Sequence, residues 1–138
     1  VALTAFIPML MDTGGNAGSQ ASVSVIRGLS MDEIEPKDAF RVLLKEVRVS
    51  LLCAATLAPV AFLKVLFIDR ETMLVSITVA FTLFFTVCLA KVIGCLLPLL
   101  AKKMKLDPAV MASPLITTVV DALSLLLYFA FASRILGL

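Results

Sequence analysis

Histidine is absent from this chain, and cysteine occurs only three times. With no histidine, and no cysteine near its acids, the chain has little to offer zinc or copper. Cys53, Cys88 and Cys95 lie inside apolar runs at spacings that suit neither a metal site nor a disulfide, so they read as small packing residues. Nothing in the opening residues resembles a signal peptide, since a basic region and a cleavage site are both missing. Internal repeats, low-complexity segments and a soluble domain are missing as well. GGNAGSQ (Gly14 to Gln20) lacks the Gly-Lys-Ser/Thr ending of a phosphate-binding loop, which excludes that chemistry. Charge is scarce, with 16% charged residues and a net charge of +2, and no nucleic acid partner is expected.

What the chain has is apolar length. Its 61% hydrophobic content, with a mean hydropathy of +1.09, exceeds what soluble folds carry. Val49 to Ile68 runs 20 residues with one charge, Lys64; Thr72 to Ala90 has none; Ala109 to Ser133 holds one acid, Asp121, in 25 residues. About 20 apolar residues cross a bilayer as helix, so these are three spans. Val1 to Ile26 is a fourth if its polar centre is tolerated. The expectation is an all-α polytopic membrane helix bundle, one pore domain over residues 1–138, with spans near 1–28, 39–68, 72–100 and 108–136.

The placement of charge orients these spans. Arg27, Lys37, Arg41, Lys45 and Arg48 lie between the first two, and Lys102, Lys103 and Lys105 between the last two. The other side has Lys64, Arg70 and Arg134. Eight basic residues against three make the loops 27–48 and 102–107 cytoplasmic in a cell (inner) membrane, with both chain ends outside. An outside N-terminus without a signal peptide implies a preceding span, so a fragment of a longer protein is expected.

Local signals add detail. Asp107 then Pro108 reads as an N-cap followed by proline at the first position of the fourth helix. Ser30-Met-Asp-Glu33 fits a capping box, predicting a short helical turn in the first cytoplasmic loop. Arg41, Lys45 and Arg48 form one basic face, either orienting and solvated or suited to anionic lipid headgroups. Pro8, Pro59, Pro98 and Pro114 fall within or near the ends of spans, where proline removes a backbone donor and bends the helix.

Two carboxylates lie deep in the apolar region. Asp12 and Asp121 are each about 12 residues from a helix end, roughly 18 Å, near the midplane of a core about 30 Å thick. An acid there faces a bundle interior or water. Ser113, Thr117 and Asp121 share one face of the fourth helix, roughly continued by Ser124 and Tyr128; Asp12, Asn16, Gln20 and Ser24 share one face of the first. Such stripes serve as interhelical glue or as the wall of a hydrophilic path. The acids favour the path, whereas Ser124 and Thr118 read as glue. Gly14 and Gly18 suit close helix packing, the preferred reading, with backbone carbonyls lining a cavity as the alternative. Lys91, at similar depth, either snorkels to the surface or neutralises an acid.

Oxygen ligands suit magnesium, calcium or manganese. Two acids per chain are few for a dehydrated cage. A pair of chains about a twofold axis would instead set four carboxylates around one conduit, contacting the hydration shell that magnesium sheds reluctantly.

At these residues the chain resembles a known family. PMLMDTGGNAGSQ (Pro8 to Gln20) resembles the pore helix of the MgtE magnesium channels, as does the stretch GCLLPLLAKKMKLDPAVMASPLITTVVDALSLLLYF (Gly94 to Phe129) a later part of them. The resemblance covers essentially the whole chain. It implies a homodimeric cation channel of five spans per subunit, of which these are the last four, with its ion path on the dimer axis. By position, Asp121 matches the carboxylate that recognises the hydrated ion, and Ser113 and Thr117 match pore-lining positions on the same helix. Asn16 matches the pore-facing part of the second family span, and Gly15 and Gln20 are expected to line the pore beside it. Asp12 has no fixed counterpart, so its metal role rests on depth. Magnesium is the implied bound and transported ion, with manganese or calcium competing. The family's first span and its cytoplasmic magnesium-sensing region are not in this sequence, and Lys91 stands where a neutral residue is expected.

Three rivals stand beside the channel: a secondary transporter exchanging magnesium for sodium or protons, a purely structural assembly, and an intramembrane aspartyl protease. The last is suggested by Asp12-Thr-Gly, but the apolar helical flanks and Val120 before Asp121 speak against it. No enzyme is expected.

Overall fold

The computed structural model describes residues 3–111 and 113–137, with side chains given outside 111–113. Four helices carry it: α1 (Ile7–Ser30), α2 (Ala39–Leu63), α3 (Met73–Lys103) and α4 (Ser113–Leu136). No strand occurs among the described residues. Three of the helical stretches, Pro36–Ile68, Met73–Lys103 and Pro114–Leu136, are long and apolar enough to cross a membrane. This is a polytopic membrane protein. α1 has the length but falls short in apolarity, because Asp12, Asn16 and Gln20 interrupt it.

α3 is the centre. Half of its apolar window is buried, against 17% for α2, and α1, α2 and α4 all pack on it. Its buried face carries Val79, Leu83, Val87 and Ala90 at three- and four-residue steps. Thr78 and Thr82, also buried, donate to carbonyls one turn back, Leu74 O and Thr78 O, at 2.8 Å each, so no polar atom of theirs is stranded. α4 packs on α1 as well as α3, while α2 touches mainly α3.

Glycine permits the tightest contact. A Cβ on Gly94 of α3 would collide with the Gly18 carbonyl oxygen of α1, so these two backbones meet without side chains between them. A Cβ on Gly18 would reach Ile116 Cγ2 at 2.9 Å, and one on Gly14 would reach Thr86 Cγ2 at 2.6 Å and Val120 Cγ1 at 2.9 Å. The small residues of the α1 polar segment thus seat it in the groove between α3 and α4.

The ends of the elements differ from expectation in four places. A 3₁₀ turn, Leu3–Phe6, precedes α1, placing Pro8 in the first helical turn where its missing N–H is harmless. Ser30 ends α1 rather than opening a box: its hydroxyl donates to Ile26 O at 2.9 Å. The box forms instead at Glu35 and Asp38 around the turn Pro36–Asp38, with Glu35 N–H donating to Asp38 Oδ2 at 3.0 Å. α2 loosens after Pro59 into a π turn, Lys64–Ile68, closed by a 2.8 Å ion pair from Lys64 to Asp69. Asp107 does accept from a backbone amide, that of Ala109 at 2.9 Å, yet Pro108 opens a 3₁₀ turn to Met111 and α4 starts only at Ser113.

Candidate functional site

The site is built where α1 crosses α4. Gly15 lies buried against α4, and a Cβ there would meet Thr117 Cγ2 at 3.1 Å and Asp121 Oδ1 at 3.9 Å. Absence of a side chain at Gly15 therefore lets the Asp121 carboxylate lie directly beside the α1 backbone. Asp121 and Thr117 are half-buried, whereas Asp12, Asn16, Gln20 and Ser24 are exposed along α1 at four-residue steps. Two acids, two amides and two hydroxyls thus lie on the two helices that meet at Gly15.

Other expected members fall elsewhere. Ser124 and Tyr128 are buried: Ser124 donates to Val120 O at 2.7 Å, and Tyr128 donates to Leu3 O at 2.8 Å, tying the chain's opening to α4. They do not extend the surface beyond Asp121. Thr117 and Thr118 both donate to Pro114 O, at 3.0 and 2.8 Å, satisfying the hydroxyls within the helix. Ser113 begins α4, and its side chain lies outside the described residues.

The exposed stripe of α1 also forms one wall of a cleft whose floor is α3 and whose far wall is α2. A small cavity of about 190 Å³ is lined by Asp12, Asn16, Gln20, Cys53 and Lys91. A larger one of about 820 Å³, lined by Gln20, Ser24, Lys45, Glu46 and Lys91, adjoins it. Lys91 is 5% exposed, so it does not snorkel to the surface, and among the described residues it forms no ion pair. Glu46, at 7% exposed, was hidden by its basic neighbours Arg41, Lys45 and Arg48. The signal that would have found it is Val42, Glu46, Ser50 and Ala54, a four-residue repeat that is the buried face of α2. Thr86 Oγ1, buried between α1 and α3, has no hydrogen-bond partner among the described residues.

No group of three or more metal-ligating acids, histidines or cysteines occurs among the described residues. Any cation recognised here meets sparse carboxylates and neutral oxygens. A family model described as a divalent cation transporter, MgtE, matches residues 7–131. The chain belongs to the MgtE family. It is 39% identical over 133 residues to a magnesium transporter MgtE of Bacillus subtilis (strain 168), covering 96% of this chain and 29% of that protein. With the magnesium transporter MgtE of Thermus thermophilus it shares 36% identity over 135 residues, 98% of this chain and 30% of the relative. An Enterococcus faecalis magnesium transporter MgtE is 30% identical over 131 residues. The chain therefore spans about 30% of the length of the curated relatives it matches. MgtE is a transporter family, not an enzyme family, which removes the protease reading of Asp12-Thr-Gly.

Proposed function

We propose that this chain is the membrane pore of a magnesium channel, assembled as a homodimer in which the polar faces of α1 and α4 from two copies enclose a water-filled path. The observation that carries this reading is the meeting of Gly15 with Asp121. It places a half-buried carboxylate beside an exposed stripe of Asp12, Asn16 and Gln20 at mid-helix. Such a surface is disfavoured against lipid and is relieved by water or a second copy. The names of the relatives point to magnesium as the cargo.

In this reading Asp121 and its symmetry mate hold the ion by its hydration shell. Thr117, Asn16 and Gln20 present further oxygens, and Asp12 raises the negative potential on one side. Recognition of a hydrated ion leaves room for manganese or calcium to compete. The loops 27–48 and 102–107 face the cytoplasm, α1 is a fourth span, and the full-length protein carries a cytoplasmic regulatory region. The test is magnesium uptake by the full-length protein in cells lacking other uptake routes. Asp121→Ala should abolish rescue, a loss of at least about tenfold, or ~1.4 kcal/mol of ion recognition, while leaving the dimer assembled. Retained uptake would move the selectivity site elsewhere. Uptake that needs a sodium or proton gradient would favour exchange over a channel.

A further inference from the structure

Lys91 and Glu46 are the only charged side chains buried among the described residues. Neither forms an ion pair. Both face the larger cavity, and Lys91 alone of the two also faces the smaller one, where the acid is Asp12. Lys91 thus lines two cavities that carry one carboxylate each, Glu46 in the larger and Asp12 in the smaller, and its four-carbon stem is flexible. A buried ammonium without a counter-charge is strongly disfavoured, so Lys91 has reason to use whichever acid is free.

The oxygens of the smaller cavity belong to the α1 stripe that flanks Gly15, the residue that meets Asp121. Asp12, Asn16 and Gln20 are thus shared between the candidate ion path and the cavity of Lys91. A cation arriving on the stripe therefore meets a positive charge already there.

We propose that Lys91 is a tethered cation that competes with the transported ion for the α1 oxygens, and that Glu46 is its alternative partner. With the path empty, the positive charge of Lys91 offsets the negative charge of Asp12 across the smaller cavity without a direct ion pair. When a divalent ion arrives, repulsion moves the ammonium across the cleft to Glu46. Lys91 and Glu46 then set the affinity for the ion without touching it. This deepens the channel reading and rests on it.

The experiment uses full-length protein in proteoliposomes, with magnesium as the probe and initial uptake as the readout. Lys91→Met should lower the half-saturating magnesium concentration about tenfold, equivalent to ~1.4 kcal/mol. Lys91→Arg, which keeps the charge, should stay within about twofold of the parent (~0.4 kcal/mol). Glu46→Gln removes the alternative partner and should raise half-saturation several-fold with the maximal rate retained. In the double variant Glu46→Gln should have no further effect, because its influence runs through Lys91. Unchanged half-saturation in Lys91→Met, or a Glu46→Gln effect that persists in full without Lys91, overturns the proposal. If Lys91→Met fails to assemble, Glu46→Gln alone decides, since unaltered half-saturation there is equally fatal. Asp121→Ala measured alongside reports on the channel reading separately: its intact uptake would sink that reading, while the Lys91 comparison would still stand or fall on its own values.

Discussion

At the middle of α1 the exposed side chains are Asp12, Asn16 and Gln20; along the second half of α2 they include Leu51, Leu52 and Val60. Both helices lie against α3, and both bury a face of small residues, Gly14, Ala17, Gly18 and Ala21 in the first and Ser50, Ala54 and Ala61 in the second. Their buried sides are alike and their outer sides opposite. Seating on α3 is a matter of backbone approach and small side chains, open to either helix. What faces outward decides the surroundings: α2 is finished by lipid, while α1 is finished only by water or another protein surface.

Disturbing the shared seat should have the largest effect. Gly94→Leu drives a side chain into the Gly18 carbonyl, and the helices must separate by the width of that side chain. Loss of folded protein, at a cost of at least about 3 kcal/mol, is expected in detergent-extracted thermal unfolding. Exchanging the outer chemistries comes next. Val60→Asp sets an acid on the lipid side of α2 and should destabilise insertion by about 3 kcal/mol, measured as glycosylation-site topology or membrane-integrated yield. The same measurement on Asp12→Leu should show no loss, because that change makes α1 more like α2. The smallest effect is expected inside the seat. Thr86→Val removes the unpaired hydroxyl near Gly14 while keeping shape, and should leave stability unchanged or raise it by about 1 kcal/mol.

The same contrast explains what was legible in the chain. α2, α3 and α4 announce themselves by apolar length, and the helical stretches long and apolar enough to cross a membrane are Pro36–Ile68, Met73–Lys103 and Pro114–Leu136. α1 is readable only through its stripes: Asp12, Asn16 and Gln20 at one spacing, Gly14 and Gly18 at another. Spacing says which residues share a face, not which neighbour that face meets. For Gly14 and Gly18 packing is the preferred reading of the spacing, and the structure packs Gly18 on Gly94 and Gly14 on Thr86 and Val120. Element ends were misjudged where two local signals compete. Ser30 and Glu35 both head plausible boxes, but Ser30 is already spent on Ile26 O. Pro108 and Ser113 both suit a start, and the 3₁₀ turn takes the first. Glu46 and Lys91 were hardest to place. A charge among charges reads as solvated, and a lone lysine in a span has two partners or none until the fold puts α1, α2 and α3 around one cleft.

The central claim is that the outer face of α1 is wet although it lies at the depth where α2 is dry. It can be tested by placing cysteine at each face in full-length protein whose Cys53, Cys88 and Cys95 have been replaced by alanine, then applying a charged, membrane-impermeant thiol reagent. Asn16→Cys should be modified, and magnesium should slow that modification, while Val60→Cys should stay inert under the same conditions. Equal inertness at both positions would mean that no water reaches the α1 stripe and would contradict the account.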